Sequence, residues 1–354
     1  MELLNRLKKQ YKDELPFVMY RKPDTSLCRA LLQKDGSLES VHDFKETGFV
    51  IAPFSEGLPS ILIRPDEILE EHQQLSGYRL PFVKLADDSE QEGKEEYISK
   101  VQEALDVIRQ NKLQKVVLSR KITHDRKPNP FYTFQLLLNQ FPEAFCYFLY
   151  HPETGIWMGA SPETLLEYNK EQIKTVSLAG TQKARTNMDP VWKPKELREQ
   201  EYVTRYIEKA LEGLANPPEK TKPETVKAGN LFHLKTRIKA SNPQVGLAHF
   251  IKALHPTPAV CGIPTAEAKA YLMANEGYPR TYYTGFVGEL NWDETDQSHL
   301  FVNLRCMNIR HDQVYIYVGG GLVEGSDPEQ EWKETIHKSE SMLHLLRNSN
   351  MGLG

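Results

Sequence analysis

Val314-Tyr-Ile-Tyr-Val-Gly-Gly-Gly-Leu-Val-Glu-Gly-Ser-Asp-Pro-Glu-Gln-Glu-Trp-Lys-Glu-Thr-Ile-His-Lys338 is the stretch from which the rest of the chain is best read. Val314, Ile316 and Val318 alternate with Tyr315 and Tyr317, the period-two pattern of a strand using both faces. Gly319, Gly320 and Gly321 let a backbone come close to a neighbour with no Cβ in the way. Ser326 or Asp327 can cap a helix that Pro328 opens, with Glu329 three residues after Ser326 as in a capping box. On that helix Trp332, Ile336, Leu343 and Leu346 share one face, while Glu331, Glu334 and Lys338 line a different stripe. A glycine-rich turn leading to two carboxylates and an ammonium suits a metal and an anion. The plainer reading is a solvated face with Glu334 and Lys338 paired at i,i+4, worth a few tenths of a kcal/mol. Taken alone, the stretch favours the plainer reading.

Composition bounds the alternatives. A chain of 354 residues allows one or two domains, and 40% hydrophobic with 26% charged residues is ordinary for a globular protein. A net charge of −4 gives no reason to expect nucleic acid. No apolar run approaches the ~18 residues that span a bilayer, so no membrane segment is expected. The opening Met1 to Gln10 reads as an amphipathic helix, not a signal peptide. Cys28, Cys146, Cys261 and Cys306 are scattered without a C-x-x-C, which suits reduced, buried thiols of a cytoplasmic protein.

Along the chain, residues 1 to about 85 mix short strand-like runs (Thr47 to Phe54, Ser60 to Arg64) with turns and carry no chemical motif, and residues 1 to 90 are expected to be part of the sheet framework. The acidic stretch from Ala86 to Glu96 reads as a solvated loop and internal boundary. Helices are expected at Tyr97 to Asn111, 131 to 141, Pro194 to about Leu214, Val245 to Leu254 and Ala266 to Asn275. Strands are expected at Lys115 to Ile122, Ala144 to Tyr150, Gly155 to Ala160, on both sides of Asn169, and at His233 to Lys239, Tyr282 to Leu290 and Phe301 to Ile309. Hairpin-connected strands with helices inserted in blocks indicate α+β with antiparallel sheets.

A second carboxylate pair stands out after Pro194. The apolar set Val203, Ile207, Ala210, Leu211 and Leu214 defines the inward face, and Glu196 and Glu199 project onto that same face. Buried carboxylates are costly unless something positive meets them. Acidic residues near a helix N-terminus are also favoured by the macrodipole, which is reason enough for them on their own. Together with Glu331 and Glu334 they could close around one hard cation. Oxygen ligands without a His or Cys cluster favour Mg²⁺ over zinc.

At this point the motifs are similar to those of a known family. The chain resembles the chorismate-utilising enzymes of menaquinone, siderophore and tryptophan synthesis across roughly residues 97 to 345. The matching pieces are Lys115-Val-Val-Leu-Ser-Arg120, Gly159-Ala-Ser-Pro-Glu163, Leu178-Ala-Gly-Thr181, Lys195-Glu-Leu-Arg-Glu199 and Leu254-His-Pro-Thr-Pro-Ala259. They continue with Arg280, Tyr283-Thr-Gly285, Arg305, Gly319-Gly-Gly321 and Glu331-Trp-Lys-Glu-Thr-Ile-His-Lys338. The resemblance implies one large α+β domain of the anthranilate synthase component I type, with antiparallel sheets, surrounding helices and an active site in a cleft between. It implies Mg²⁺ held by Glu199 and Glu334, with Glu196 and Glu331 close by and partly acting through water. It implies chorismate as substrate, its ring carboxylate on the metal and the rest held by Arg305, Ala179, Gly180, Tyr283, the backbone from Gly319 to Gly321, and Lys338. His255 and Ala259 belong to the same expected substrate site.

Members of the family differ in the nucleophile added at C2 as the C4 hydroxyl leaves. Ammonia users show Gln where this chain has Lys115, and water needs a base. The resemblance therefore makes Lys115 the general base and Glu163 the acid that protonates the leaving hydroxyl. Both need unusual protonation, a partly neutral lysine and a protonated carboxyl. Ammonia-using and salicylate-forming members usually carry Thr at the position of Ala259, so the expected activity is that of an isochorismate synthase, working as a monomer. Cys261 and Ile263 depart from the pattern in small details. A salicylate synthase, or a non-catalytic chorismate-binding subunit, is the alternative.

Overall fold

The apolar spacing of the opening residues makes α1 (Glu2–Lys12), with Leu3, Leu4 and Leu7 buried. Short apolar runs follow as β1 (Phe17–Arg21), β2 (Leu27–Leu32), β3 (Glu39–Ser40), β4 (Gly48–Ala52), β5 (Ile61–Ile63) and β6 (Glu67–His72). Next come α2 (Lys94–Arg109), β7 (Lys115–His124), α3 (Pro130–Gln140), β8 (Phe145–His151), β9 (Gly155–Ser161), β10 (Thr164–Tyr168) and β11 (Gln172–Lys183). The middle of the chain holds α4 (Pro194–Leu211), β12 (Glu219–Lys220), β13 (Glu224–Ala228), β14 (Leu231–Ser241), α5 (Leu247–Leu254), β15 (Gly262–Ile263) and α6 (Thr265–Asn275). It ends with β16 (Phe286–Trp292), β17 (Gln297–Val302), β18 (Cys306–Arg310), β19 (Gln313–Val323) and α7 (Pro328–Ser349). The computed structural model describes residues 2–73, 92–125, 128–183, 190–228, 231–292, 296–310 and 312–349, so residues 86–91 of the expected acidic loop lie outside it.

Among the described residues the strands form two antiparallel sheets. The first runs β15-β7-β19-β18-β9-β8-β1-β2-β6, the second β12-β14-β11-β10-β17-β16-β4-β5-β3, with β13 added on β14. The N-terminal residues thus supply β1, β2 and β6 to one sheet and β3, β4 and β5 to the other. Between the sheets lies an aromatic core of Tyr20, Phe49, Phe145, Tyr147, Trp157 and Phe301. Phe145 of the first sheet stacks on Phe301 of the second with centroids 4.0 Å apart. Helices α1, α3 and the end of α7 cover the outer face of the first sheet, and α4 and α5 that of the second. Helices α2 and α6 pack with β7 and with Trp332 of α7. This is the α+β architecture that the hairpin-and-block pattern predicts.

Local details differ from the sequence reading in instructive ways. The strand expected over Phe301 to Ile309 is two strands in opposite sheets, β17 and β18. The chain crosses at Asn303-Leu304-Arg305, with Arg305 at φ +46°. Asn303 is fully buried and pins this corner: its side chain accepts from the Tyr147 hydroxyl at 2.7 Å and donates to the Tyr282 carbonyl at 2.9 Å. Beside it Ser161-Pro162-Glu163 makes the reverse crossing from β9 to β10. Ser161 Oγ donates to the Val302 carbonyl at 2.6 Å, and Val302 N donates to the Glu163 carbonyl at 3.0 Å. Apolar alternation runs through the corner because both sides of it are buried.

The glycines of 319–321 form no turn; they lie inside β19, with Gly319 opposite Ser119 and Gly321 opposite Val117. Of the two candidate caps for α7, Asp327 serves, its carboxylate accepting from Gln330 N at 2.9 Å. Ser326 Oγ instead accepts from Val323 N at 3.3 Å. The strand expected from Tyr282 begins only at Phe286.

A buried ion pair holds β7 in place. Arg280 and Glu276, 4% and 2% exposed, meet at 2.6 Å through two contacts. Arg280 also donates to the carbonyls of Val117 at 2.6 Å and Val260 at 2.8 Å, while Glu276 accepts from Ser119 N at 2.7 Å. Removing one partner leaves an uncompensated buried charge, which costs about 3–5 kcal/mol. Glu276→Gln should therefore lower the urea midpoint by that equivalent at an unchanged m-value. A loss below about 1 kcal/mol would show that the pair does not anchor β7.

Candidate active site

Where the ends of both sheets meet α4 and α7 there is a cavity of about 200 Å³. Lys115 enters it from the first residue of β7. That end of the strand is paired on both edges, with Ile263 of β15 and Val323 of β19, so the side chain is 3% exposed. Gly321 makes room for it, since a Cβ there would come within 3.0 Å of Lys115 Cε. Burial pushes the Lys115 pKa down, opposed by the carboxylates of Glu199 and Glu163 and assisted by Lys338.

Glu163 reaches the same cavity from the corner between β9 and β10, 4% exposed. Burial pushes its carboxyl up to about 8, with Lys115 pulling the other way. At neutral pH this carboxyl holds its proton, while the lysine gives up its own more readily than usual. Arg305 comes from the adjacent corner, and burial lowers its guanidinium to about 10, which still leaves it charged. Lys338 of α7 bonds Glu334 Oε1 at 2.7 Å and donates to the Gly319 carbonyl at 2.8 Å.

Ala179 and Gly180 line the cavity at an irregularity in the β11–β14 pairing, where Gly180 adopts φ +71°. A Cβ on Gly180 would also sit 3.1 Å from Glu196 Cβ, so the glycine lets α4 come close. Ala259, Tyr283, Gly319 and Gly321 complete the expected substrate residues that line the cavity. His255 is not among them. Its Nε2 donates to the Pro53 carbonyl at 3.2 Å, and its ring packs edge-on against Phe286.

The expected metal residues are divided. Glu199 from α4 and Glu334 from α7 both line the cavity. Glu196 also lines it, with its carboxylate accepting from Lys193 N at 3.0 Å at the start of α4. Glu331 does not line it. It is 3% exposed and lies on the far side of β19, where a Cβ on Gly320 would come 3.1 Å from its Oε2. The alternation of β19 explains this: Gly319 and Gly321 face the cavity and Gly320 faces away.

A polar cavity residue that escaped the sequence reading is a histidine. His233 of β14 is buried against the cavity, and its Nδ1 donates to the Gly180 carbonyl at 3.1 Å. Burial, then Arg305 and Lys338, lower its pKa to about 3, so the ring is neutral with Nε2 as its acceptor nitrogen. Within a β-branched and basic strand nothing local marks this histidine; only the pairing of β14 with β11 brings it to Gly180.

A family model described as chorismate binding enzyme matches residues 63–347. The isochorismate synthase DhbC of Bacillus subtilis (strain 168) is 30% identical over 326 residues, covering 83% of this chain and 79% of that protein. The crystal structure of DhbC from Bacillus anthracis superposes with a TM-score of 0.80 at 23% identity over 98% of this chain and 99% of that one. Anthranilate synthase component I from Streptococcus pneumoniae TIGR4 superposes with a TM-score of 0.63 at 25% identity, over 70% of this chain and 57% of its own.

The raised Glu163 pKa has a thermodynamic consequence. In the unfolded chain the carboxyl ionises near 4.5, whereas in the folded protein it keeps its proton to about 8. Between these values the native state binds the extra proton, so this group lowers stability as pH rises. Glu163→Gln, which cannot ionise, should become progressively more stable than the wild type from pH 5 to pH 8. The gap should widen by up to ~1.4 kcal/mol per pH unit. Paired urea denaturation curves at several pH values measure it; a pH-independent gap would mean that Glu163 is not held protonated.

Proposed function

The chain belongs to the chorismate-binding enzyme family, and from that premise we propose that it is an isochorismate synthase, adding water at C2 of chorismate as the C4 hydroxyl leaves. The observation that carries the proposal is the pair Lys115 and Glu163 in one cavity, with pKa values displaced toward each other. A lysine with a lowered pKa can take the proton of the attacking water. A carboxyl still protonated at neutral pH can deliver one to the departing hydroxyl. Chorismate and water thus become isochorismate and water, with protons and oxygens balanced.

Arg305 and Lys338 supply fixed positive charge for the carboxylates of the substrate, and Arg305 offers the planar fork that suits one of them. Ala259 brings a methyl group and no hydroxyl to its own place in the cavity wall. This favours the synthase over a salicylate-forming activity. The chain would work as a single subunit.

Glu199 and Glu334 approach the cavity from two helices with oxygen donors only, which fits a hard cation such as Mg²⁺. A Cβ on Gly320 would fill a cradle within 3.9 Å of both Glu331 Oε2 and Glu334 Oε1. Among the described residues no three acidic, His or Cys side chains stand close enough together to hold an ion as they are. Glu199 and Glu334 are the residues that would hold the ion. When bound, Mg²⁺ would supply positive charge for the ring carboxylate of chorismate.

Incubating the purified chain with chorismate, Mg²⁺ and ammonium, then separating the products, tests the activity. Isochorismate is expected; dominant anthranilate, or salicylate with stoichiometric pyruvate, sinks the assignment, and no turnover favours a binding subunit. Lys115→Gln should lower kcat by about 10²–10⁴-fold while the chorismate dissociation constant changes little, because a positioned base contributes that much. Near-normal turnover in this variant would exclude Lys115 as the base.

A further inference from the structure

The outer edge of β7 is covered by a strand only where it begins. β15 pairs with Lys115 and Val116, and beyond them, among the described residues, no strand pairs with that edge. Val117 N donates there to the Cys261 carbonyl at 2.8 Å, and Ser119 N to the Glu276 carboxylate at 2.7 Å. Strand alternation points the N–H groups of Lys121 and Thr123 to the same edge. Beside it a groove of about 610 Å³ runs between α2, the residues just after α6, and α7. It shares no lining residue with the cavity of Lys115 and Glu163.

Arg120 lines this groove and is held on two sides. Its guanidinium lies 4.2 Å over the Trp332 ring, and its Nε donates to Thr335 Oγ1 at 2.9 Å. Burial lowers it to about 10, which leaves it charged. Among the described residues no carboxylate stands within ion-pair distance of it. The other charges of the lining are unevenly matched. Lys100 is taken up by Glu96 at 2.7 Å, and Glu276 by Arg280 at 2.6 Å. That leaves Arg120, Lys121 and Arg347 against Glu92 alone among the lining carboxylates. Ile122, Ile336 and Leu343 give the same groove an apolar side.

We propose that the groove binds a small carboxylate carried on an apolar body, with Arg120 as its anchor and Lys121 and Arg347 at its rim. A guanidinium presents paired N–H donors that match the two oxygens of a carboxylate. Thr335 engages Nε, so the two terminal nitrogens serve the ligand. Trp332 and Thr335 fix the guanidinium before a ligand arrives, and little side-chain freedom is lost on binding. The chain itself shows that this strand edge holds a carboxylate: Glu276 accepts from both Ser119 N and Ser119 Oγ, at 2.7 and 2.6 Å.

The probe that tests this is 4-bromobenzoate. In crystals of the full chain soaked with it, the anomalous signal of bromine should lie in the groove. The carboxylate should then sit within about 3.2 Å of a terminal nitrogen of Arg120. In solution, a methyl NMR titration reads the dissociation constant at the site itself, from Ile122, Ile336 and Leu343. Arg120→Gln should weaken it by about 10-fold or more, the effect of losing a charge-assisted hydrogen bond. The neutral 4-bromobenzamide should bind more weakly by a similar factor. Should Arg120→Gln fail to fold, Arg347→Glu on the exposed rim carries the same test, with an expected loss of about threefold or more. Bromine only beside Arg305, or binding at crystal concentration only with those methyl signals unmoved, overturns the proposal. So does an amide that binds as well as the acid, or a folded variant whose affinity stays within about twofold of wild type.

Discussion

A lysine held out of water beside a carboxyl group that is also held out of water is the constraint on which the site depends. Burial disfavours the charged form of each, so it pushes Lys115 down and Glu163 up. In the proposed reaction one cavity would thus supply both a base and an acid from residues whose ordinary pKa values suit neither role at neutral pH. The burial of Lys115 comes from β-structure. The start of β7 is paired on both edges, and Gly321 lets the lysine stem lie against β19. The Arg280–Glu276 pair ties the same strand to the end of α6 through the Val117 carbonyl and Ser119 N.

The two sheet-crossing corners are the other half of the arrangement. Glu163 and Arg305 leave neighbouring crossings, one running from the first sheet to the second and one returning. Bonds between Ser161, Glu163 and Val302 lock the crossings together. A side chain at such a corner can point along the seam between the sheets, where regular strand positions cannot. Opposite the corners, α4 and α7 bring Glu199, Glu334 and Lys338 into the cavity. Cations and carboxylates thus alternate around one small volume, and the Lys338 contact to Glu334 shows how they satisfy each other. In the proposed reaction an anionic substrate would compete for the same cations.

The glycines of β19 separate two environments only one strand thick. On one side Gly319 and Gly321 face the cavity; on the other Gly320 faces Tyr97 and Glu331. A side chain at any of the three would crowd something charged or polar. This is why three consecutive glycines, poor strand formers, persist within a long strand.

Much of this was legible in the residues themselves. Alternation around Tyr315 and Tyr317, the 3.6-residue faces of α4 and α7, and the placing of Glu199 near the inward side of α4 follow from local periodicity. Such periodicity reflects the geometry of the element and nothing further. The roles proposed for Lys115, Glu163 and Arg305 were legible only through family resemblance, because a lysine opening a strand looks the same whether solvated or buried. Tertiary structure alone decided the rest. It split Phe301 to Ile309 between two sheets, since a buried corner keeps the apolar pattern of a continuous strand. Glu331 was turned behind β19, His255 was packed on Phe286, and His233 was brought to Gly180 across a strand pair. The displaced pKa values belong with these, because desolvation is produced by neighbours distant in sequence: β15 and β19 around Lys115, and the adjoining corner around Glu163.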